Sequence, residues 1–533
     1  MKKLLLLSSV LLICLGVNAQ SVINVSGTIA ASTTWTSNNQ YLLQGFVYVK
    51  GGATLTIEPG TVIKGDKATD GTLIITRGCK IIADGTVANP IVFTSNEPMG
   101  ERGLADWGGL IIAGNAKCNI PGGEGLFEGG LLDNADGDGR FGGLNDNDNS
   151  GILRYVRIEY GGTAYQPNNE VNGLTLGSVG RNTIIENVQV SFCGDDAFEF
   201  FGGTVNAKNL VSYRNLDDDF DCDFGYRGKL QFGLAYRDSA IADGVSGSNG
   251  FEIDNDAAST GNTPYTSPVI SNFTIVGPKA TLTNPINTNF KRGAHLRRNS
   301  RARIYNTMII GFPKGLVVDG DSCHVAAAAG NLIFKNNILS GMGSNLDSVA
   351  GTWAISPWFN GSSNSIFANN TTLLLQDAFN YAAPNATPLS GSPALLGASF
   401  ADADLATGFD VVAFKGALGA TNWTSGWTNY NPQNTAYSLV GINDFDSNLK
   451  LEAYPNPAHN LLNVSINYPQ SSEVSIALYD AIGGLVASPI VTAVSSFTTS
   501  VELNVSNLSA GLYFVRVADT NNNTLSTMKV VKK

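Results

Sequence analysis

The residues that decide the fold are two stretches that nearly repeat each other, DDAFEFFGG at Asp195–Gly203 and DDDFDCDFG at Asp217–Gly225. In both, aromatic or sulfur-containing side chains alternate with carboxylates, a period of two that is typical of a β-strand with one buried face. Phe198 and Phe220 are 22 residues apart. A recurrence at this interval indicates a repeat architecture in which each turn of chain lays a new strand beside the last.

The flanking sequence keeps the same interval. Asn187 and Asn209, which open similar apolar segments, are also 22 residues apart, whereas Phe251 follows Phe220 by 31 and indicates a loop insertion. Short strands repeated in this way predict an all-β protein, a right-handed parallel β-helix. The side chains expected to point into the coil and stack there are Phe198, Phe200, Phe220, Cys222, Phe251 and Ile253.

The alternate positions of these strands carry carboxylates that would stack on the outside of the coil. Like charges about 5 Å apart must be protonated, solvated or countered by a cation. An all-oxygen donor set favours Ca²⁺ over transition metals. The alternative is a water-exposed acidic face that serves only solubility. The candidate metal ligands are Glu199, Asp221, Asp223, Glu252 and Asp254 on the strands, with Asp195, Asp196 and Asp218 in the preceding turns.

A basic segment, Phe290–Arg303, follows the acidic strands by one to three turns. On the same face it would suit a calcium-dependent polysaccharide lyase, in which Arg297, Arg298 or Lys291 removes the proton next to a uronate carboxylate. Arg292 and Arg301 would then bind substrate. A glycoside hydrolase, which needs two carboxylates facing one groove, is also open. In the structural alternative, these arginines pair with the outward carboxylates and hold the coil together.

Residues 390–434 lose the strand spacing and mix aromatics with glycine and polar residues. We predict that this region caps the open end of the coil, since an open end would expose unpaired strands. Trp423 and Trp427 are the candidates within it for stacking on sugar rings, and packing in the cap is the alternative.

The N-terminus and the composition place the protein outside the cytoplasm. Residues 1–19 combine two lysines, an apolar run and a small-residue cleavage pattern, which predicts a secretory signal peptide. No later apolar run is long enough for a transmembrane segment. The net charge of −11 argues against a nucleic-acid partner. Five cysteines remain after residue 19, too few for a disulfide scaffold in a chain of 533 residues.

The C-terminal segment, residues 451–533, reads as short alternating strands and predicts a small Ig-like β-sandwich. Its motifs are YPNP at Tyr454–Pro457, LYD at Leu478–Asp480, GLY at Gly511–Tyr513 and the terminal KVVKK. Together they closely resemble the type A C-terminal sorting domain of the type IX secretion system. The resemblance implies passage across the outer membrane by the secretion machinery, followed by release or attachment to surface polysaccharide.

These expectations divide the chain into a signal peptide (1–19), a β-helix cargo domain (20–445), a linker (446–450) and the sorting domain (451–533). The cargo also resembles uncharacterised secreted β-helix proteins that carry this sorting domain, through Leu153–Gly162 and His295–Asn306. The leading interpretation is an extracellular or surface-held, non-catalytic module that binds glycan or another surface. A lyase or glycoside hydrolase in the acidic groove is the alternative, and an inert coat protein is a third.

Overall fold

The computed structural model describes residues 21–131, 133–166, 169–349, 352–437, 449–467, 472–481, 483–494, 498–519 and 524–533. Contacts divide the chain into two compact units, one spanning Ser21–Thr435 and the other containing the residues from Ala436 to Lys533. The predicted signal peptide and most of the predicted linker lie outside the described residues. Both units are built from β-structure, so the predicted all-β class is confirmed.

The described strands of the first unit are β1 Ser21–Ile29, β2 Thr33–Trp35, β3 Asn39–Val49, β4 Thr54–Ile57, β5 Val62–Gly65, β6 Thr72–Ile75, β7 Lys80–Asp84, β8 Ile91–Ser95, β9 Gly109–Ala113, β10 Gly125–Leu126, β11 Arg140–Phe141, β12 Gly151–Glu159, β13 Ala164–Gln166, β14 Asn169–Glu170, β15 Leu174–Gly177, β16 Ile184–Ser191, β17 Phe198–Phe201, β18 Asn206–Tyr213, β19 Phe220–Asp223, β20 Lys229–Tyr236, β21 Asn249–Ile253, β22 Val269–Ser271, β23 Thr274–Val276, β24 Arg292–Leu296, β25 Arg303–Tyr305, β26 Met308–Ile310, β27 Lys314–Asp319, β28 Ile333–Lys335, β29 Ile338–Ser340, β30 Ser344–Val349, β31 Ser365–Phe367, β32 Leu375–Asp377 and β33 Asn385–Pro388. The described helices are α1 Asp321–Ala328 and α2 Ile355–Asn360, with short 3₁₀ segments at Lys67–Thr69, Asn370–Leu373, Pro393–Leu395, Ala403–Leu405 and Pro432–Asn434.

The strands form a coil whose wall consists of three parallel β-sheets, called sheets 1, 2 and 3. Sheet 1 continues from the end of β3 through β6, β9, β15, β17, β19, β21, β24, β27 and β30. Sheet 2 contains β5, β8, β23, β26, β29 and β31, and sheet 3 contains β2, β4, β7, β22, β25 and β28. The longer strands β12, β16, β18 and β20 bend and contribute to both sheets 2 and 3. The parallel β-helix is therefore confirmed.

The inward-facing side chains stack in columns, as the alternation predicts. The rings of Phe198 and Phe220 are stacked with centroids 5.4 Å apart, and the ring of Phe251 follows at 5.7 Å. Phe200, Cys222 and Ile253 form the neighbouring inward column, and all six predicted inward residues are buried in the main core. Burial of this continuous apolar core is the main stabilising contribution in a fold of this kind.

The five described cysteines are all buried and unpaired, in agreement with the expectation that the fold does not depend on a disulfide scaffold. They lie at Cys79, Cys118, Cys193, Cys222 and Cys323.

A column of asparagines forms the corner between sheets 3 and 2. Asn187, Asn209, Asn272, Asn306 and Asn336 all adopt positive φ, between 49° and 62°. Asparagine tolerates this left-handed conformation better than most residues, so it is suited to a tight bend that recurs at every turn. The 22-residue spacing between Asn187 and Asn209 thus reflects the recurrence of this corner from one turn of the coil to the next.

Residues 390–434 run along the side of the coil, which corrects the predicted cap over its open end. We call these residues the strap. Amide side chains on successive turns donate to strap carbonyls at 2.7–3.0 Å, in the pairs Asn336–Gly397, Asn306–Ser399, Asn272–Phe414, Gln231–Asp410 and Gln189–Asn429. The corner column provides most of these donors. The strap satisfies polar groups of the coil that its own strands leave unpaired.

The second unit has its own core and two antiparallel sheets, consistent with a small β domain. Its described strands are β34 Lys450–Tyr454, β35 Leu461–Asn467, β36 Ser472–Asp480, β37 Leu485–Val494, β38 Thr499–Asn504, β39 Gly511–Asp519 and β40 Thr524–Lys532. One sheet orders its strands β34-β35-β38 and the other β37-β36-β39-β40. Among the described residues of the whole chain, no helix combines the length and the apolar character needed to cross a membrane.

We expect Asn306→Ala to lower the free energy of unfolding by about 3 kcal/mol, because it removes several buried hydrogen bonds at a left-handed position. The Asn306 amide donates to Ser399 at 3.0 Å and accepts from Asn336 at 2.6 Å. Denaturant unfolding measures the change. The control is Asn369→Ala, at an exposed asparagine whose side chain makes no cap bond, and equal losses in both variants would contradict the prediction.

Candidate functional site

The predicted outward carboxylates form a column on sheet 1. Glu199 pairs in register with Asp221, and Asp221 pairs with Glu252. Adjacent strands of a sheet lie about 4.8 Å apart, so these carboxylates are close neighbours. Thr175 precedes the column and His295 follows it in the same register.

Four further carboxylates join this column from the turns that lead into β17 and β19. They belong to the turn residues Asp195, Asp196, Asp217 and Asp218. Three overlapping groups of three each bring one oxygen per residue within 4.8 Å of the others: Asp195 with Asp196 and Asp217; Asp196 with Glu199 and Asp221; and Asp218 with Asp221 and Glu252. We call these seven residues, Asp195, Asp196, Glu199, Asp217, Asp218, Asp221 and Glu252, the acid cluster.

Although the cluster points away from the coil, little of it reaches solvent. Glu199 and Glu252 are each only 9% exposed, and Asp218 is 4% exposed. Neutral donors satisfy part of the cluster. The Asn172 amide donates to Glu199, and the Asn249 amide donates to Glu252 at 3.0 Å. Asp195, Asp217 and Asp221 are partly exposed, so the water-exposed acidic face that the sequence left open as an alternative does not describe the four buried members, Asp196, Glu199, Asp218 and Glu252.

Some buried oxygens in this region have no hydrogen-bond partner within the described part of the chain. They include Oδ1 of Asp221, Oδ1 of Asp217 and Oγ1 of Thr175. Thr175 is 3% exposed and shares its register position with Glu199. A buried oxygen without a donor is costly, so these atoms mark a place where a cation would be stabilised.

Burial and mutual repulsion raise the pKa values throughout the cluster. Burial is the first cause for Asp221, followed by the charges of Glu252 and Glu199, and its pKa lies well above the usual range. The pKa of Asp196 is raised in the same way by burial and by Asp195 and Asp218. Burial and Glu252 raise the pKa of Asp218 to about 8. Without a cation, the folded chain therefore stabilises protonated forms of these acids.

One end of the cluster opens into a pocket of about 410 Å³. Among the described residues that line it, seven are acidic and none is lysine or arginine; the acids are Glu128, Glu170, Asp195, Asp196, Glu199, Asp217 and Asp243. Glu128, Glu170 and Asp243 are not among the site residues that the sequence predicts, because Glu128 and Asp243 lie in loops and Glu170 lies in the short hairpin of β13 and β14, all outside the repeated strands. The 31-residue interval after Phe220 was the available signal, since Asp243 lies in that insertion.

The other end of the cluster is neutralised by the basic segment. Arg297 contacts Glu252 and donates to Asp254 at 2.7 Å, and Arg298 donates to the second oxygen of Asp254 at 2.7 Å. Burial lowers the pKa of His295 to about 4, and its ring contacts Glu252 at 3.3 Å. Although burial opposes it, the charge of Glu252 and the bond to Asp254 raise the pKa of Arg297 above its usual value. The contacts of Arg297 and Arg298 with Glu252 and Asp254 are therefore ion pairs.

The remaining predicted site residues lie around this neutralised end. Asp223 follows Asp221 on β19, and burial together with Asp254 raises its pKa to about 7. The Lys291 ammonium donates to the Thr288 carbonyl at 3.3 Å, and the Arg292 guanidinium donates to Asn249 at 3.5 Å. Arg301 lies over the ring of Tyr265 at 3.7 Å.

The two predicted sugar-stacking tryptophans lie elsewhere. Both belong to the strap and pack with the hydrophobic cluster on β18, β20 and β23, which is distinct from sheet 1. Trp427 is 1% exposed and cannot stack on a ligand, so its predicted role as a binding residue is corrected to packing. Trp423 is only partly buried and lines a separate cavity.

The acid cluster offers only oxygen donors, which are the ligands that calcium prefers. Asp196, Glu199 and Asp221 form the central group and share residues with the other two groups. These residues could hold a metal ion, because their oxygens converge and because a bound cation would offset the repulsion between them.

The coil and the second unit together define a secreted β-helix protein that carries a sorting domain. Residues 452–533 match the secretion system C-terminal sorting domain, so this unit is a type IX sorting domain and the protein is secreted or held at the cell surface. Residues 27–383 match the pectate-lyase-like beta helix domain, and the chain belongs to that family.

Comparison with individual proteins gives only remote similarity. No curated protein matches the chain significantly. Two similar solved structures are enzymatically active domains of tailspike proteins from bacteriophage CBA120. The domain of tailspike protein 2 is 11% identical, with 92% of this chain and 71% of that chain covered and a TM-score of 0.24. The domain of tailspike protein 4 is 10% identical, with 96% and 62% covered and a TM-score of 0.25.

We expect the protein, in chelator, to lose stability as the pH rises from about 6.5 to 8. Asp218, Glu252 and Asp223 have folded pKa values of about 8, 7 and 7, above the value near 4 of an unfolded carboxyl. The folded state therefore binds these protons more tightly, and the stabilisation is lost as they dissociate. His295, with its pKa near 4, acts in the opposite sense only below about pH 6.5.

Thermal unfolding at several pH values checks this prediction. Asp218→Asn, which cannot ionise, should flatten the profile. A melting temperature that stays level or rises across this range in the parent protein would contradict the assigned protonation.

Proposed function

We propose that this protein is a secreted, non-catalytic binding module that holds calcium in the acid cluster and contacts extracellular glycan or another surface through that site. The acid cluster opens at one end into the acidic pocket, which gives a bound cation access to an external ligand. Calcium accepts six to eight oxygen ligands, so sugar hydroxyl or carboxylate oxygens can complete a set that the protein supplies only in part.

The observation that carries this proposal is the concentration of carboxylates around the pocket without matching basic residues in the described part of its lining, with Asp196 and Glu199 buried among them. The raised pKa values of Asp196, Glu199 and Asp221, which follow first from burial, and the unpartnered oxygens of Asp221 and Thr175 are a cost that a divalent cation would remove. Asp196, Glu199 and Asp221 would hold the ion, and Asp195, Asp217 and Asp218 would complete the surrounding negative field.

The lyase alternative receives less support from the same geometry. A base must lose its proton near neutral pH, but the contacts of Arg297 with Glu252 and Asp254 favour its charged form. Arg298 is held by Asp254. The Lys291 ammonium donates to the Thr288 carbonyl, and Lys291 is not among the described residues that line the pocket. We therefore propose that these residues neutralise the far end of the cluster.

A glycoside hydrolase is the second candidate, and a specific feature favours it. Asp195 and Asp217 have oxygens within 4.8 Å of each other and line the pocket. A retaining hydrolase places its two carboxyl groups about 5 Å apart, one protonated as the acid and one ionised as the nucleophile. Burial raises the pKa values of both Asp195 and Asp217, so either residue could be the protonated acid.

We expect calcium to bind the mature protein at pH 8 and to raise its melting temperature, whereas Asp221→Asn should weaken binding at least about tenfold, because Asp221 belongs to two of the three groups. Calorimetry with calcium, after chelator has been removed, measures the affinity. The matched control is Asp347→Asn, on sheet 1 but paired with Lys314 at 2.5 Å. No calcium binding, or an equal effect of both variants, would rule out the proposed site.

We also expect uronate-containing polysaccharides to bind in calcium without being cleaved. Binding, unsaturated product and new reducing ends are followed in the same samples, with calcium or with chelator. New reducing ends that disappear in Asp195→Asn would show that the protein is a glycoside hydrolase rather than a binding module. Unsaturated product that disappears in Arg298→Ala, with the fold intact, would show that the protein is a lyase.

A further inference from the structure

A second groove lies on sheet 3 beside the strap, away from the acid cluster. It consists of three adjoining cavities of about 320, 190 and 290 Å³. The first two share Asn206, Lys229 and Gly408, and the second and third share Lys208, so the groove is continuous. We call it the side groove.

The first cavity of the side groove is cationic. Arg181, Arg227 and Lys229 line it, together with the polar residues Thr204, Asn206 and Thr407 and with Gly408. Asp146 is the carboxylate partner of both arginines, at 2.7 Å from Arg227 and at 4.0 Å from Arg181. The Lys229 ammonium donates to Thr407 and has no carboxylate within ion-pair distance in the part of the chain that the structure describes. One carboxylate therefore serves two of these three cations, and the third donates only to neutral oxygens within the described residues.

Burial, and to a lesser extent the neighbouring cation, acts against the charge of Arg227 in this cavity. Burial lowers the pKa of Arg227, and the nearby charge of Arg181 lowers it further, against the opposing effect of Asp146. An anionic group placed among the three cations would offset this repulsion. Arginine and lysine donors together suit a carboxylate or a sulfate ester.

The third cavity of the side groove is aromatic. Phe232, Phe414 and Trp423 line it, and the rings of Phe232 and Phe414 lie 6.1 Å apart. Trp423 is fixed in position by donating its indole N–H to the Ala417 carbonyl at 2.8 Å, which leaves part of its ring accessible. Aromatic faces of this kind pack well against the apolar faces of sugar rings.

The two ends lie within reach of one oligosaccharide. Lys229 and Phe232 both belong to β20, where three residues span about 10 Å. Lys208 lines the middle of the groove and pairs with Asp410 at the surface. A single chain of sugars can therefore place a charged group at one end and a ring at the other.

We propose that the side groove binds a segment of an acidic polysaccharide, with a uronate or sulfate group among Arg181, Arg227 and Lys229 and a sugar ring against Trp423 and Phe414. This site is independent of the acid cluster, because it contains its own cations and needs no metal.

The experiment measures binding of the mature protein to three probes in the presence of chelator, which silences a calcium site. The probes are a galacturonate hexamer, a sulfated heparin hexasaccharide and neutral maltohexaose. At least one acidic probe should bind about tenfold or more tightly than maltohexaose, and the preferred probe identifies the anionic group. Arg181→Gln and Lys229→Gln should each weaken that binding about tenfold, as expected for loss of one charged hydrogen bond.

The matched control is Lys314→Gln, which removes one positive charge from sheet 1. It should retain parent affinity, whereas Trp423→Leu should weaken acidic and neutral probes alike. Melting temperatures of all variants verify that they are folded. Equal binding of neutral and acidic probes, unchanged affinity in both groove variants, or an equal loss in Lys314→Gln would overturn the proposal, whatever the outcome of the calcium experiment.

Discussion

Parallel strands repeat at a fixed spacing of about 4.8 Å, and each residue must lie beside its counterpart on the next turn. Because of this constraint, equivalent residues on successive turns form columns of side chains. On the inside it places Phe198, Phe220 and Phe251 in contact, which is favourable because apolar rings pack there. On the outside it places Glu199 beside Asp221, which is unfavourable unless the charges are removed or compensated. The same geometry that builds the core thus generates the site.

The repulsion between these carboxylates is compensated differently at the two ends of the column. At the C-terminal end, Arg297 and His295 contact Glu252, so the carboxylate is paired. At the other end the described residues that line the pocket are acidic or neutral, so no basic side chain among them opposes the raised pKa of Glu199. A cation at this end would neutralise the carboxylates there, as Arg297 neutralises Glu252 and Asp254 at the other end. The proposed calcium site rests on this asymmetry.

The sequence predicts what depends on the repeat and misses what depends on contacts between distant segments. The alternation and the 22-residue interval were sufficient to predict the inward column and the register of Glu199 with Asp221, because both follow from strand geometry. The acids that Glu128 and Asp243 add to the pocket were not predictable, since they come from loops outside the repeated strands. The strap was misplaced for the same reason: its position is set by side-chain bonds such as Asn306 to Ser399, which no local pattern encodes.

The central claim, that stacking forces these carboxylates to share a cation, is tested most directly by diffraction from crystals grown with calcium near pH 8. The account predicts an anomalous difference peak with oxygens of Asp196, Glu199 and Asp221 about 2.3–2.6 Å away. Well-ordered side chains with no such peak, and with pairs of carboxyl oxygens close enough to share protons, would contradict it and would show that protonation alone accommodates the column.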